Sequence, residues 1–169
     1  MSRKTLLASL IFGLAVLVPQ PAHPQATGPT LAGSWQFTLT PASPTLPPAI
    51  PIPGLVTFTT DGSLVETNAL EVVPSSGPSA TPTFSTPGHG IWQPGPAVTN
   101  FFVQFISIVA NPNGSLAGRN VTTMTVSVNS AGSQFSGSYT TTLVEPTGQV
   151  PKTTSGTVTG QRIPHPKLP

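Results

Sequence analysis

The sequence predicts an all-β protein, a single antiparallel up-and-down β-barrel of seven or eight strands with little or no helix after its N-terminal segment. Three observations lead there. Apolar residues alternate with Ser and Thr along several stretches, the period of a strand with one buried face. Turn-forming groups such as Asp61-Gly62, Asn111-Pro112-Asn113-Gly114 and Ser130-Ala131-Gly132-Ser133 separate these stretches. No stretch after the N-terminal segment carries apolar residues at i, i+3, i+4, i+7 without an intervening Pro or Gly, so no helix longer than about two turns is expected.

The elements follow in order. Arg3 and Lys4 precede an apolar run from Leu6 to Val18, and Pro19, Pro21 and Pro24 end it. A positive start followed by a short apolar run is the pattern of a secretory signal peptide, here residues 1–26 with cleavage after Ala22 or Ala26. The run is shorter than the roughly 20 apolar residues of a membrane span. Residues 27–163 form the barrel domain and 164–169 a flexible tail. The first strand is Gly33 to Thr40, with Trp35, Phe37 and Leu39 on one face. Pro41 to Pro53 reads as an extended loop or lid, because proline can be neither in a central strand nor inside a helix. Leu55 to Thr60 and Ser63 to Leu70 form a hairpin about Asp61-Gly62. Residues 73–88 are again rich in Pro, Ser, Thr and Gly, with a short strand near Thr83-Phe84. Strands at 88–93, 98–110, 115–129, 134–145 and 149–163 complete the barrel, since closure removes edges that would otherwise aggregate.

Composition excludes whole classes of function. The 169 residues contain no cysteine, which removes disulfide scaffolds, thiolate metal sites, cysteine nucleophiles and a lipid-anchored N-terminus. After residue 26, four cations (Arg119, Lys152, Arg162, Lys167) balance four anions (Asp61, Glu66, Glu71, Glu145). No basic stripe is left to neutralise phosphates, so no nucleic-acid partner and no anionic membrane surface is expected. The Gly-x-Ser-x-Gly elbow, the Walker loop and the dinucleotide fingerprint are all missing, and no cofactor is expected. No metal site is expected either, because His23 and His165 lie near the chain ends and leave His89 alone. Asn113-Gly114-Ser115 and Asn120-Val121-Thr122 fit the glycosylation acceptor pattern.

Two local registers can be worked out in advance. Pairing across residues 130–133 sets Val128 opposite Phe135, Val126 opposite Gly137 and Met124 opposite Tyr139, all on one face. At Asp61-Gly62 a two-residue loop would pair Phe58 with Val65 and turn Glu66 outward. A three-residue loop, Thr60-Asp61-Gly62 with a glycine bulge, pairs Phe58 with Leu64 and turns Glu66 inward; Thr60 suits its type I turn. An inward Glu66 would have a raised pKa and serve as an acid or base, whereas an outward one is a solvated carboxylate. His89, between Gly88 and Gly90 and beside Trp92, is either the second member of an acid–base pair or an ordinary strand-end residue. The strand Phe101 to Val109 is apolar on both faces and needs cover outside as well as inside, from a lid or a second copy.

Gly33-Ser34-Trp35, opening the first strand, and Arg162, near the end of the last, resemble the lipocalin and wider calycin barrels. The resemblance implies that Trp35 plugs one barrel end with the Arg162 guanidinium across its face. Thr57 to Gly62 and Gly88 to Trp92 are similar to segments of secreted bacterial β-proteins. The allene oxide cyclase type of barrel is similar in shape and implies, by analogy, a small cyclase or isomerase using Glu66 and His89. The leading expectation is an exported, non-catalytic barrel, extracellular or periplasmic, whose interior takes a small hydrophobic molecule. Its expected lining is Phe58, Trp92, Phe102, Ile106, Met124, Val126 and Tyr139. The alternative is an extracellular module that self-associates through Phe101–Val109.

Overall fold

The computed structural model describes residues 28–42, 50–69, 72–73, 83–147 and 152–164. The expected signal peptide, most of the two Pro-rich connections and tail residues 165–169 lie outside the described residues. Ten strands are present among the described residues: β1 (Gly33–Pro41), β2 (Ile52–Phe58), β3 (Ser63–Asn68), β4 (Val72–Val73), β5 (Thr83–Ser85), β6 (Gly88–Pro94), β7 (Asn100–Ala110), β8 (Leu116–Val128), β9 (Gln134–Val144) and β10 (Lys152–Arg162). No helix occurs among the described residues.

Eight of these strands close an antiparallel barrel in chain order: β1, β2, β3, β6, β7, β8, β9, β10, then back to β1. The closing ladder pairs Trp35 with Arg162, Phe37 with Gly160 and Leu39 with Val158. The short β5 pairs with the end of β7 on the side that β6 occupies further along, and β4 pairs with β5. Thr86-Pro87 separates β5 from β6, where proline has no N–H to give to the ladder.

Alternation sends one residue in two to the core. On β7, Phe101, Val103, Phe105, Ser107 and Val109 are buried while the residues between them are exposed. The same rule buries Trp35, Phe37 and Leu39 on β1, and Met124, Val126 and Val128 on β8. Val128, Val126 and Met124 lie opposite Phe135, Gly137 and Tyr139, the register read from the 130–133 turn.

The Asp61-Gly62 hairpin adopts the three-residue loop. The Thr59 N–H donates to the Ser63 carbonyl and Phe58 faces Leu64, with Gly62 at φ 89°. Hydrogen bonds from the Thr59 hydroxyl and from Ser63 hold the Asp61 carboxylate in the turn and lower its pKa to about 2.

Three expectations are corrected. Pro53, read as loop, lies inside β2 opposite Thr38. Its carbonyl accepts from the Ala69 N–H, just beyond the end of β3, so its missing N–H faces a place where the β2–β3 ladder has already stopped. Phe102 and Ile106, expected to line the interior, are on the outer face and 42% and 41% exposed. Both faces of β7 are apolar, so its own pattern does not say which is inside. The neighbouring rungs decide, because Val103 pairs with Met124 and Phe105 with Thr122, both of which point into the barrel. Asn120 also faces the barrel interior, which removes it as an exposed glycosylation acceptor.

Candidate functional site

The two ends of the barrel differ. At one end the Trp35 indole is fully buried, donates from Nε1 to the Leu31 carbonyl at 2.7 Å and packs on Phe135 at 5.1 Å between ring centroids. The Arg162 guanidinium lies 4.2 Å from the Trp35 ring centroid. It donates to the carbonyls of Gly132, Ala32 and Thr30, each at 2.6 Å. Gly33 makes this fit possible, since it sits at φ 127° and a Cβ there would lie 2.4 Å from an Arg162 nitrogen. Trp92, with Phe58 and Phe101 edge-on to it and its Nε1 on the Thr59 carbonyl, completes the plug. This end is closed.

The other end holds a cavity of about 910 Å³. Its apolar wall includes Leu39, Ile52, Phe105, Val109 and Leu143; its polar groups include Asn68, Ser107, Asn120, Thr122, Tyr139 and Thr141. Lys152 and Glu145 pair at 3.3 Å on the rim, with the lysine side chain 75% exposed. Most of the polar groups inside are satisfied by one another. The Thr122 and Thr141 hydroxyls share a hydrogen bond of 2.8 Å, and Ser85 donates to Ser107 at 3.1 Å. The Tyr139 hydroxyl is buried and has no hydrogen-bond partner among the described residues. Burial raises its pKa.

Glu66 sits just behind this wall. It is 2% exposed and accepts from Asn68 Nδ2 at 3.3 Å and from the Gly88 N–H. Gly88 leaves the room, for a Cβ there would lie 2.6 Å from Glu66 Oε1 and 2.8 Å from the Phe105 ring. Burial pushes the Glu66 pKa up to about 7, and the two hydrogen bonds offset only part of that rise.

Ladder geometry sets Glu66 against Tyr139. Followed one way round the barrel, Glu66 leads to Val56, Trp35 and Arg162, whose N–H donates to the Ser133 carbonyl. Followed the other way it leads through Gly88 and the Ser107–Asn120 rung to Leu143. Because tilted strands climb in one direction and descend in the other, the level of Glu66 on β9 is halfway between Ser133 and Leu143. That midpoint is the exposed Ser138, and Tyr139 beside it points inward, one residue off the level of Glu66, four strands away and on the opposite wall.

His89 does not join them. It follows Gly88 on β6 and so points outward, exposed, between Val65 and Ile106 on its neighbours. The Glu66–His89 acid–base pair is therefore ruled out by strand alternation. Of the other residues expected to line a pocket, Phe58, Met124 and Val126 are packed core and Trp92 belongs to the plug; Tyr139 alone reaches the cavity. Thr122, Thr141, Asn120 and Leu143 were missed, although continuing the Met124–Tyr139 rung by two and four residues reaches all of them.

Among the described residues no three His, Cys, Asp or Glu side chains gather as a metal site, and no helix is long and apolar enough to cross a membrane. Compared with protein family models, with characterised proteins and with solved structures, the chain matches none.

Proposed function

We propose that this is an exported barrel protein that binds a small, mostly apolar molecule in the cavity opposite the Trp35 plug and performs no chemistry on it. One observation carries the reading: a cavity of about 910 Å³ at the barrel end opposite the plug, with apolar walls and a few polar groups. That volume is within the range of small-molecule sites, which combine apolar walls with a few placed polar groups. Export is supported by Arg3, Lys4 and the Leu6–Val18 run, and the extracellular or periplasmic space is the corresponding location. Gly33-Ser34-Trp35 with Arg162 over the indole supports kinship with lipocalin-like barrels. Among the described residues a catalytic reading lacks a second acid–base group beside Glu66 once His89 points outward.

The test is native mass spectrometry of protein purified from its host, with Leu143→Trp as the filled-cavity control. The expected result is an added mass on the wild-type protein that the variant loses while staying folded. Wild-type protein that stays bare when incubated with a panel of apolar compounds overturns the reading.

The outer face of β7 favours a second reading, self-association. Phe102, Ile106 and Ile108 are 41–45% exposed there, with Ile91 beside them on β6. Sedimentation equilibrium is the test: a dimer dispersed by Phe102→Ser with Ile106→Ser supports it, and a wild-type monomer at high concentration removes it.

A further inference from the structure

Two turns of the barrel share one design and differ in one functional group. In Thr59 to Ser63 and in Asn111 to Ser115 the first N–H donates to the last carbonyl at 2.9 Å, and a glycine, Gly62 or Gly114, sits at φ 89° or 81°. In both, the side-chain oxygen before that glycine accepts from the N–H and the hydroxyl of the serine after it. The distances are 3.0 and 2.8 Å at Asp61, and 3.0 and 2.7 Å at Asn113. The first turn carries a carboxylate at that place and the second a carboxamide. We infer that Asn113 is a site of spontaneous modification, where attack by the Gly114 nitrogen removes the side-chain amide and leaves a carboxylate at the mouth of the cavity. This holds whether or not the cavity takes a ligand.

The step needs only water as co-reactant. The Gly114 nitrogen gives up its proton and bonds to Asn113 Cγ, the bond from Cγ to the side-chain nitrogen breaks, and ammonia leaves with that proton. The five-membered imide that results is opened by water at either carbonyl, giving aspartate or its main-chain isomer isoaspartate.

The turn favours this reaction in three ways. Two donors on Oδ1 draw electrons from Cγ and stabilise the negative charge that grows on that oxygen during attack. The bond from the Ser115 N–H holds the side chain folded back over the Gly114 peptide. Gly114 has no side chain to obstruct the approach, and Asn113, Gly114 and Ser115 are all exposed. The Gly114 N–H must first leave the Asn111 carbonyl at 2.9 Å, an exposed bond whose opening slows the step by roughly fivefold.

The other five asparagines lack this combination. Asn111 precedes Pro112, which has no N–H to react. Asn68, Asn100, Asn120 and Asn129 precede Ala, Phe, Val and Ser, whose side chains crowd the approach. Asp61-Gly62 has the geometry but not the leaving group, and its hydrogen bonds keep the carboxylate ionised. That turn also shows that a carboxylate fits the product position. Asn111 and Leu116, on either side of Asn113, line the cavity, so the new charge appears at its mouth.

The experiment incubates the purified protein at 37 °C at pH 6 and pH 8 and follows each asparagine by peptide mass and the released ammonia by assay. Asn113 is expected to convert before the other five, faster at pH 8, with ammonia matching the loss and with both aspartate and isoaspartate formed. Ser115→Ala should slow it by about three- to tenfold, the worth of one hydrogen bond, and Ser115→Thr should restore the rate. Asn113→Asp should melt at the wild-type temperature. An Asn113 that keeps its amide while another asparagine converts, or aspartate formed without isoaspartate, overturns the inference. A Ser115→Ala rate equal to wild type removes the part assigned to the turn, and a lowered melting temperature for Asn113→Asp removes the fit of the product.

Discussion

The plugged end and the open end of this barrel are built on the same ladders, yet one is packed solid and the other holds a cavity. On the β8–β9 pair the rung at the plugged end is Val128 with Phe135, and six residues further along it is Thr122 with Thr141. Strand geometry is the same at both rungs; side-chain volume is not. Aromatic rings from β1, β2, β6, β7 and β9 meet at the plug, and backbone carbonyls satisfy each of its polar atoms. At the open end, small hydroxyls and medium aliphatic residues stop short of the axis, and Tyr139 keeps an unused donor. An eight-stranded barrel is just wide enough to be filled by side chains or to leave room for one small molecule, and this chain is filled at one end and holds a cavity at the other.

The largest way to break that contrast is Trp35→Ala. It removes a fully buried ring, the stacking surface of Arg162 and the contact with Phe135, and should cost about 3–5 kcal/mol in a denaturant titration. A loss below about 1 kcal/mol would show that the plug does not stabilise the barrel.

Glu66 gives the next effect, with a definite sign. Its folded-state pKa of about 7 stands above the ordinary 4.5, so the folded chain holds its proton while the unfolded chain releases it. Stability is then greatest below about pH 4.5, falls as pH rises towards 7 and is flat above. The fall is on the order of 3 kcal/mol. Glu66→Gln should raise stability at pH 8 and flatten the curve between pH 5 and 8; a flat wild-type curve would contradict the buried, neutral carboxyl.

Leu143→Ala probes the open wall. Leu143 is half-buried and borders the cavity, so truncation should cost about 1 kcal/mol by thermal unfolding, well under the Trp35 loss. A cost as large as that at Trp35 would mean that the open end is as tightly packed as the plug.

The smallest effect is expected from Tyr139→Phe, within about 0.5 kcal/mol of wild type or slightly stabilising, because no protein hydrogen bond is lost. A clear loss would reveal a partner for the hydroxyl inside the folded protein.

Much of this was legible in the sequence, and for local reasons. Alternating Ser/Thr and apolar residues dictated strands. Thr60-Asp61-Gly62 offered the bulged turn that brings Glu66 inward beside a two-residue loop that would turn it outward, and the 130–133 turn dictated the rungs that carry Met124 and Tyr139 inward. A turn and the residues beside it are fixed by short-range sterics and pairing, so reading a few positions suffices. Only the closed tertiary structure decided the rest. It put Phe102 and Ile106 outside, because a strand apolar on both faces takes its orientation from its neighbours. It turned His89 away from Glu66, and it set Tyr139 within one residue of the level of Glu66 across the interior. That last relation depends on the tilt and stagger of all eight strands together, a property of closure that no single segment contains.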